Sequence, residues 1–104
     1  MLVTIVTASA DDVPEDLVVS RIGQKLYASI LRHPWYAKYV QPIGQDRVQW
    51  QVLVEDGFWR VQCGSDGQRL LRFDINQKLR RIVGVHLFKL RSGQWLYISS
   101  YGGE

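Results

Sequence analysis

Apolar and polar residues alternate with period two through Arg47-Val-Gln-Trp-Gln-Val-Leu-Val-Glu-Asp-Gly-Phe-Trp-Arg-Val-Gln-Cys63, and the alternation is mirrored about Asp56-Gly57. That dipeptide favours a type I′ turn, whose twist suits an antiparallel strand pair. With the dipeptide at the tip, Val54 falls opposite Trp59, Val52 opposite Val61 and Trp50 opposite Cys63. Gln49, Gln51, Arg60 and Gln62 then share the reverse face. A slip of one residue would turn the apolar row into water, so turn and pattern specify one register.

Upstream the period becomes helical. Asp12 and Glu15 have capping-box spacing, and Pro14 sits in a first turn that needs no amide donor. Asp11, Asp12, Glu15 and Asp16 gather at the positive end of the helix dipole. Val18, Val19, Ile22, Leu26, Ser29 and Ile30 form one stripe, flanked by Tyr27 and Leu31, while Ser20, Arg21, Gln24, Lys25 and Arg32 point away. Gly23 costs about 1 kcal/mol relative to Ala in a helix, so it marks a close approach to the sheet. Pro34 stops the helix near Arg32-His33. Pro34 to Val40 is either a short second helix, with Trp35 one turn from Tyr39, or an aromatic connector over the end of the core. Gln41 to Asp46 has turn chemistry. Met1 to Ala8 has the β-branched content of a strand, interior or at a sheet edge.

Downstream, Gly64-Ser-Asp-Gly67 is a loop. Arg69 to Asp74 is a strand with Leu71 and Phe73 inward, and Ile75-Asn-Gln77 turns the chain. Leu79 opens a long strand with Val83, Val85 and Leu87 inward. Ser92-Gly93 is the second hairpin tip; it pairs Leu87 with Ile98 and Lys89 with Leu96 on one face. On the other it pairs Leu90 with Trp95, Phe88 with Tyr97 and His86 with Ser99. The pattern predicts an α+β fold: one main helix packed on a four- to five-stranded antiparallel meander, with an N-terminal strand, in a single domain spanning 1–104. The run from Phe73 to Phe88 resembles the terminal hairpins of the cystatin-like and NTF2-like superfold. That resemblance implies a small-molecule-binding domain as one functional reading.

The last hairpin is apolar on both faces, which the first is not. If one face covers the helix, the other shows Ile82, His86, Phe88, Leu90, Trp95, Tyr97 and Tyr101, continued across the sheet by Arg60, Arg72 and Arg80. Apolar surface rimmed by arginine and glutamine has the make-up of a partner site, unless the N-terminal strand or the Trp35–Val40 segment folds over it. The predicted binding set is His86, Phe88, Leu90, Trp95, Tyr97, Tyr101, Arg60 and Arg72. The expected function is that of a small non-enzymatic binding or assembly module, its partner a protein or a second copy of the chain anchored on aromatics. Single-stranded nucleic acid is the alternative, with bases on the same rings and phosphates on the arginines.

Composition adds limits. The chain is 46% hydrophobic and 22% charged, with 13 Lys and Arg against 10 Asp and Glu, a net charge of +3. This is an ordinary globular balance, too mixed for a dedicated nucleic-acid binder. One cysteine excludes an internal disulfide, and two histidines argue against a Cys/His zinc site, so neither metal nor cofactor is expected. Cys63 is expected to be an inert core thiol, and His33 a helix-end residue favoured by the dipole. His86 has no carboxylate at its cross-strand position; Glu55, Asp56 and Asp74 fall near turns, so no catalytic set emerges. The N-terminus lacks a basic leader and is too short to span a bilayer, which makes a cytoplasmic location and no membrane partner the expectation. Finally, Phe58-Trp-Arg-Val-Gln, Arg69-Leu-Leu-Arg-Phe and Val85-His-Leu-Phe-Lys-Leu-Arg91 faintly resemble the sheet of RelE/HigB-type ribonuclease toxins. That likeness implies Arg60, Arg72, His86, Lys89 and Arg91 as an RNA-facing set.

Overall fold

The computed structural model describes residues 4–8, 14–65, 69–92 and 94–101, with no side chain described at 4–8, 14, 15, 45 and 90. Six strands form one antiparallel sheet in chain order: β1 (Thr4–Ala8), β2 (Gln49–Glu55), β3 (Phe58–Gly64), β4 (Arg69–Asn76), β5 (Arg81–Arg91) and β6 (Gln94–Ser100). Between β1 and β2 lie α1 (Pro14–Ile22), α2 (Gln24–Leu31), a π-helical turn (Tyr36–Val40) and two short 3-10 turns. The α+β class and the antiparallel meander agree with the sequence pattern.

The β2–β3 register is the one the sequence specifies, with Val54 opposite Trp59, Val52 opposite Val61 and Trp50 opposite Cys63. Gln77 ties down this hairpin, donating from Nε2 to the Phe58 carbonyl at 3.0 Å and from its amide to the Gly57 carbonyl at 3.0 Å. The single main helix is two helices. Gly23 adopts φ +94°, a conformation that L side chains rarely take, and its carbonyl starts the new helix by accepting from Tyr27. Arg80 closes on the break, donating from Nη2 to the Ile22 carbonyl at 3.1 Å. The expected cap at Asp12 lies outside the described residues. Val18, Ile22, Leu26, Tyr27 and Ile30 bury the predicted stripe against Trp50, Val52, Val61, Cys63, Leu71, Phe73, Ile75, Val85 and Leu87. The 34–40 segment is both helical and aromatic: Trp35 meets Tyr39 edge-on at 5.6 Å, and Val40 is fully buried.

Two bulges make the last three strands depart from the predicted alternation. In β4–β5, Asp74 pairs with Gly84 and Ile75 with Ile82, leaving Val83 unpaired and 49% exposed rather than inward. Leu79 lies in the preceding turn, exposed, and the strand begins at Arg81. β4 itself runs through Ile75 and Asn76, which were expected to turn. In β5–β6, the pairs Leu90–Trp95, Lys89–Leu96 and Phe88–Tyr97 hold as expected. Beyond them Leu87 faces Ser99 and His86 faces Ser100, each one residue later than the unbulged pattern. The extra residue is Ile98.

Each bulge inverts which face the residues beyond it occupy, those before Val83 in β5 and those after Ile98 in β6. Ile82 therefore packs on the helical side against the core, and Arg80 stacks its guanidinium 5.6 Å over the Trp59 ring on that side. Tyr101 also lies on the helical side: its amide donates to Val85, and its ring meets His33 at 4.5 Å and Trp35 at 5.3 Å. All three were expected on the reverse face. No helix among the described residues is long and apolar enough to cross a membrane.

Candidate functional site

One sheet face packs on the helices. The described residues place nothing over the other. β1 extends the sheet beside β2 instead of folding across it, and the aromatic turn packs on the helical side. The reverse face carries Glu55, Phe58, Arg60, Gln62, Leu70, Arg72, Asp74, Gly84, His86, Phe88, Trp95, Tyr97 and Ser100, by strand alternation and register.

Asp74 is the centre of this face. Its Oδ2 is 3.1 Å from His86 Nε2 and 3.6 Å from Arg60 Nη1, and its Oδ1 is 3.0 Å from Arg72 Nε. Arg60 Nε reaches Glu55 Oε1 at 3.2 Å. Arg60 Nε, Arg72 Nε and Asp74 Oδ1 are buried without an aligned hydrogen bond, so these arginine contacts act chiefly as charge pairs. Asp74 is thus a mid-strand carboxylate within an ion network, not the turn residue expected. Its route to His86 is diagonal. The direct cross-strand neighbour of His86 on β4 is Arg72, as the absence of a facing carboxylate anticipated, but the ring leans over Gly84. A Cβ at position 84 would stand 3.0 Å from His86 Nε2, so any larger residue there would push the ring aside from this path. Asp74 opposite Gly84 two residues before a histidine is the signal that would have revealed the pair.

The other ring nitrogen of His86 also has a partner: Nδ1 is 2.7 Å from Ser100 Oγ, and Tyr97 Oη is 2.8 Å from the same oxygen. Ser100 comes opposite His86 only because of the bulge at Ile98. Beside this chain is an aromatic cluster. Phe88 meets Trp95 at 4.9 Å and Tyr97 at 5.6 Å, and Arg72 lies 5.0 Å over the Phe88 ring.

The predicted binding set is therefore split. His86, Phe88, Trp95, Tyr97, Arg60 and Arg72 share the reverse face, and Tyr101 does not. Leu90 keeps its register with Trp95, but its side chain lies outside the described residues. Phe88 is a buried floor, whereas Tyr97 is 61% exposed. The RNA-facing set divides too: Lys89 and Arg91 alternate to the helical side, away from Arg60, Arg72 and His86.

Burial shapes the chemistry of two further residues. Cys63 is fully buried, which pushes its thiol far up from its ordinary value. His33 is not a charged helix-end residue. Burial lowers its pKa, and Nδ1 accepts from the Trp35 amide at 3.1 Å, which requires the neutral ring. No cluster of His, Cys, Asp and Glu suited to a metal ion occurs among the described residues. No family model, no curated protein and no solved structure matches the chain.

Proposed function

We propose that the protein is a small binding and assembly module whose docking element is the C-terminal hairpin, with an extended segment of a partner protein laid along β6. One observation carries this reading. β6 is the last strand of the sheet, its sequence Gln94-Trp-Leu-Tyr-Ile-Ser-Ser100 has neither charge nor proline, and Leu96, Tyr97 and Ile98 are exposed at 48%, 61% and 44%. Sheet edges are usually guarded by charged residues or proline. Among the described residues the Ile98 bulge is the one guard here, and it leaves Gln94 to Tyr97 regular. An added strand gains backbone hydrogen bonds from β6 and side-chain contacts on both faces, the mode known as β-augmentation. A second copy of this chain meets these needs, because two β6 strands crossing antiparallel about Tyr97 set each Leu96 against an Ile98.

Nucleic acid ranks lower because Arg60 and Arg72 already pair with Glu55 and Asp74. A phosphate would have to displace those carboxylates. The small-molecule reading drawn from the cystatin-like and NTF2-like outline has no comparable observation behind it.

The test combines sedimentation of the purified chain with pull-downs, with and without nuclease, using wild type, Tyr97→Ala and Leu96→Lys. Losing an anchor worth 2 kcal/mol or more weakens association by about thirtyfold. Leu96→Lys, which restores a charge to the edge, is expected to abolish it. Equal association by all three forms would rule out β6 as the docking element, and recovery lost only after nuclease would move the reading to RNA or DNA.

A further inference from the structure

The hydrogen-bonded chain beside the aromatic cluster has a direction. With His86 Nε2–H donating to the Asp74 carboxylate, Nδ1 is the lone-pair nitrogen facing Ser100 Oγ at 2.7 Å. Ser100 then donates to His86 and accepts from the Tyr97 hydroxyl at 2.8 Å. A hydroxyl bonded to an imidazole that a carboxylate orients is the arrangement that activates serine, recognised by geometry and role rather than by fold or chain order. From this geometry we infer that Ser100 is the nucleophile of an acyl-transfer site that takes small carboxylic esters bearing an aromatic group.

The residues supply each part of that chemistry. Ser100 is exposed at the end of β6, so an ester carbonyl reaches its oxygen from solvent. Trp95 and Tyr97, seated on the buried Phe88 ring, form the neighbouring shelf, on which an aromatic acyl or alcohol group stacks. Ser100 Oγ bonds to the carbonyl carbon while its proton passes to His86 Nδ1. The carbonyl electron pair moves onto oxygen, and the Tyr97 hydroxyl, released from Ser100 Oγ as that oxygen bonds to carbon, turns to donate to it. Collapse breaks the bond to the alcohol, which leaves with the proton from His86. Water repeats the cycle, releases the carboxylic acid and restores Ser100. Asp74 acts as a positioning residue. Because Arg60 and Arg72 share its charge, its main contribution is to hold the His86 tautomer and ring orientation.

This inference does not depend on docking along β6, and its test is separate. The purified full-length chain is treated with an aryl fluorophosphonate and followed by intact mass, and with 4-nitrophenyl phenylacetate followed by nitrophenolate release. Wild type is expected to gain one phosphonyl group, mapped to Ser100, and Ser99→Ala to gain it at the same rate. Ser100→Ala gains none. His86→Gln slows labelling and ester turnover by at least about a hundredfold, the lower bound for loss of a positioned base. Asp74→Asn loses much of the rate, and Asp74→Glu, which keeps a carboxylate, retains more of it at a comparable thermal midpoint. Absence of an adduct on folded wild type, or equal labelling of wild type and His86→Gln, overturns the assignment.

Discussion

At the scale of single residues, Phe73 and Asp74 are adjacent in β4 and show what each sheet face demands. Phe73 is fully buried, facing Val61 and Val85 across the sheet, so Phe73→Ala loses transfer energy and leaves a cavity: about 3–5 kcal/mol. Asp74→Ala leaves Arg60 and Arg72 without their carboxylate and His86 Nε2 without its acceptor, at about 2 kcal/mol, the scale of a lost charged hydrogen bond. Urea midpoints of the two variants test that order. His33 gives a pH prediction. The unfolded ring gains its proton as pH falls through 6.5, but burial holds the folded ring neutral to lower pH. In that window the unfolded state binds more protons, so stability falls as pH drops below 6.5 and levels off below the folded value. His33→Gln is expected to flatten this slope in urea midpoints measured across the window. The sequence displayed Phe73 through its place in an alternating strand. It hid the Asp74–His86 contact, because that contact depends on a diagonal path over Gly84 rather than on any facing pair.

At the scale of elements, legibility follows regularity. The first hairpin has a two-residue turn and no irregularity, and its register came directly from pattern and turn chemistry. The last strands each absorb one extra residue, Val83 and Ile98, and nothing in the local polarity marks either as unpaired. What fixes the bulges is tertiary: they bring Ile82 to the core and Tyr101 between the rings of His33 and Trp35. Tyr101→Ala is accordingly expected to cost about 1–2 kcal/mol, the worth of its ring pairs plus some buried area. Tyr97→Ala on the opposite face should leave the thermal midpoint almost unchanged. Equal effects of the two substitutions would show that the bulge does not invert the strand. Gly23 was visible as an anomaly within a helical stripe, but its meaning was larger than a close approach. At φ +94°, with Arg80 Nη2 only 3.0 Å from where a Cβ would stand, it is the joint between two helices. Gly23→Ala therefore destabilises by about 1 kcal/mol or more, against the usual gain from replacing glycine in a helix.

At the scale of the whole molecule, the helices pack on one face of the sheet and no described residue covers the other. The sequence indicated this imbalance: one reliable amphipathic stripe, but a last hairpin apolar on both faces. It did not indicate whether β1 or the aromatic turn would cover the surplus; β1 instead lengthens the sheet at the far side from β6. The uncovered face is chemically divided, with paired ions over β3 and β4 and rings over β5 and β6. That division gives a test of which half a partner uses. Association along β6 buries uncharged residues and backbone groups, so its affinity is expected to change less than about threefold between roughly 0.05 and 0.5 M salt, because screening acts on exposed charges. A nucleic-acid partner neutralising phosphates on Arg60 and Arg72 would instead weaken steeply over the same range by counterion release. Loss of the salt slope in Arg60→Gln/Arg72→Gln protein would then assign binding to the ionic half, while a flat profile abolished by Leu96→Lys would assign it to the edge.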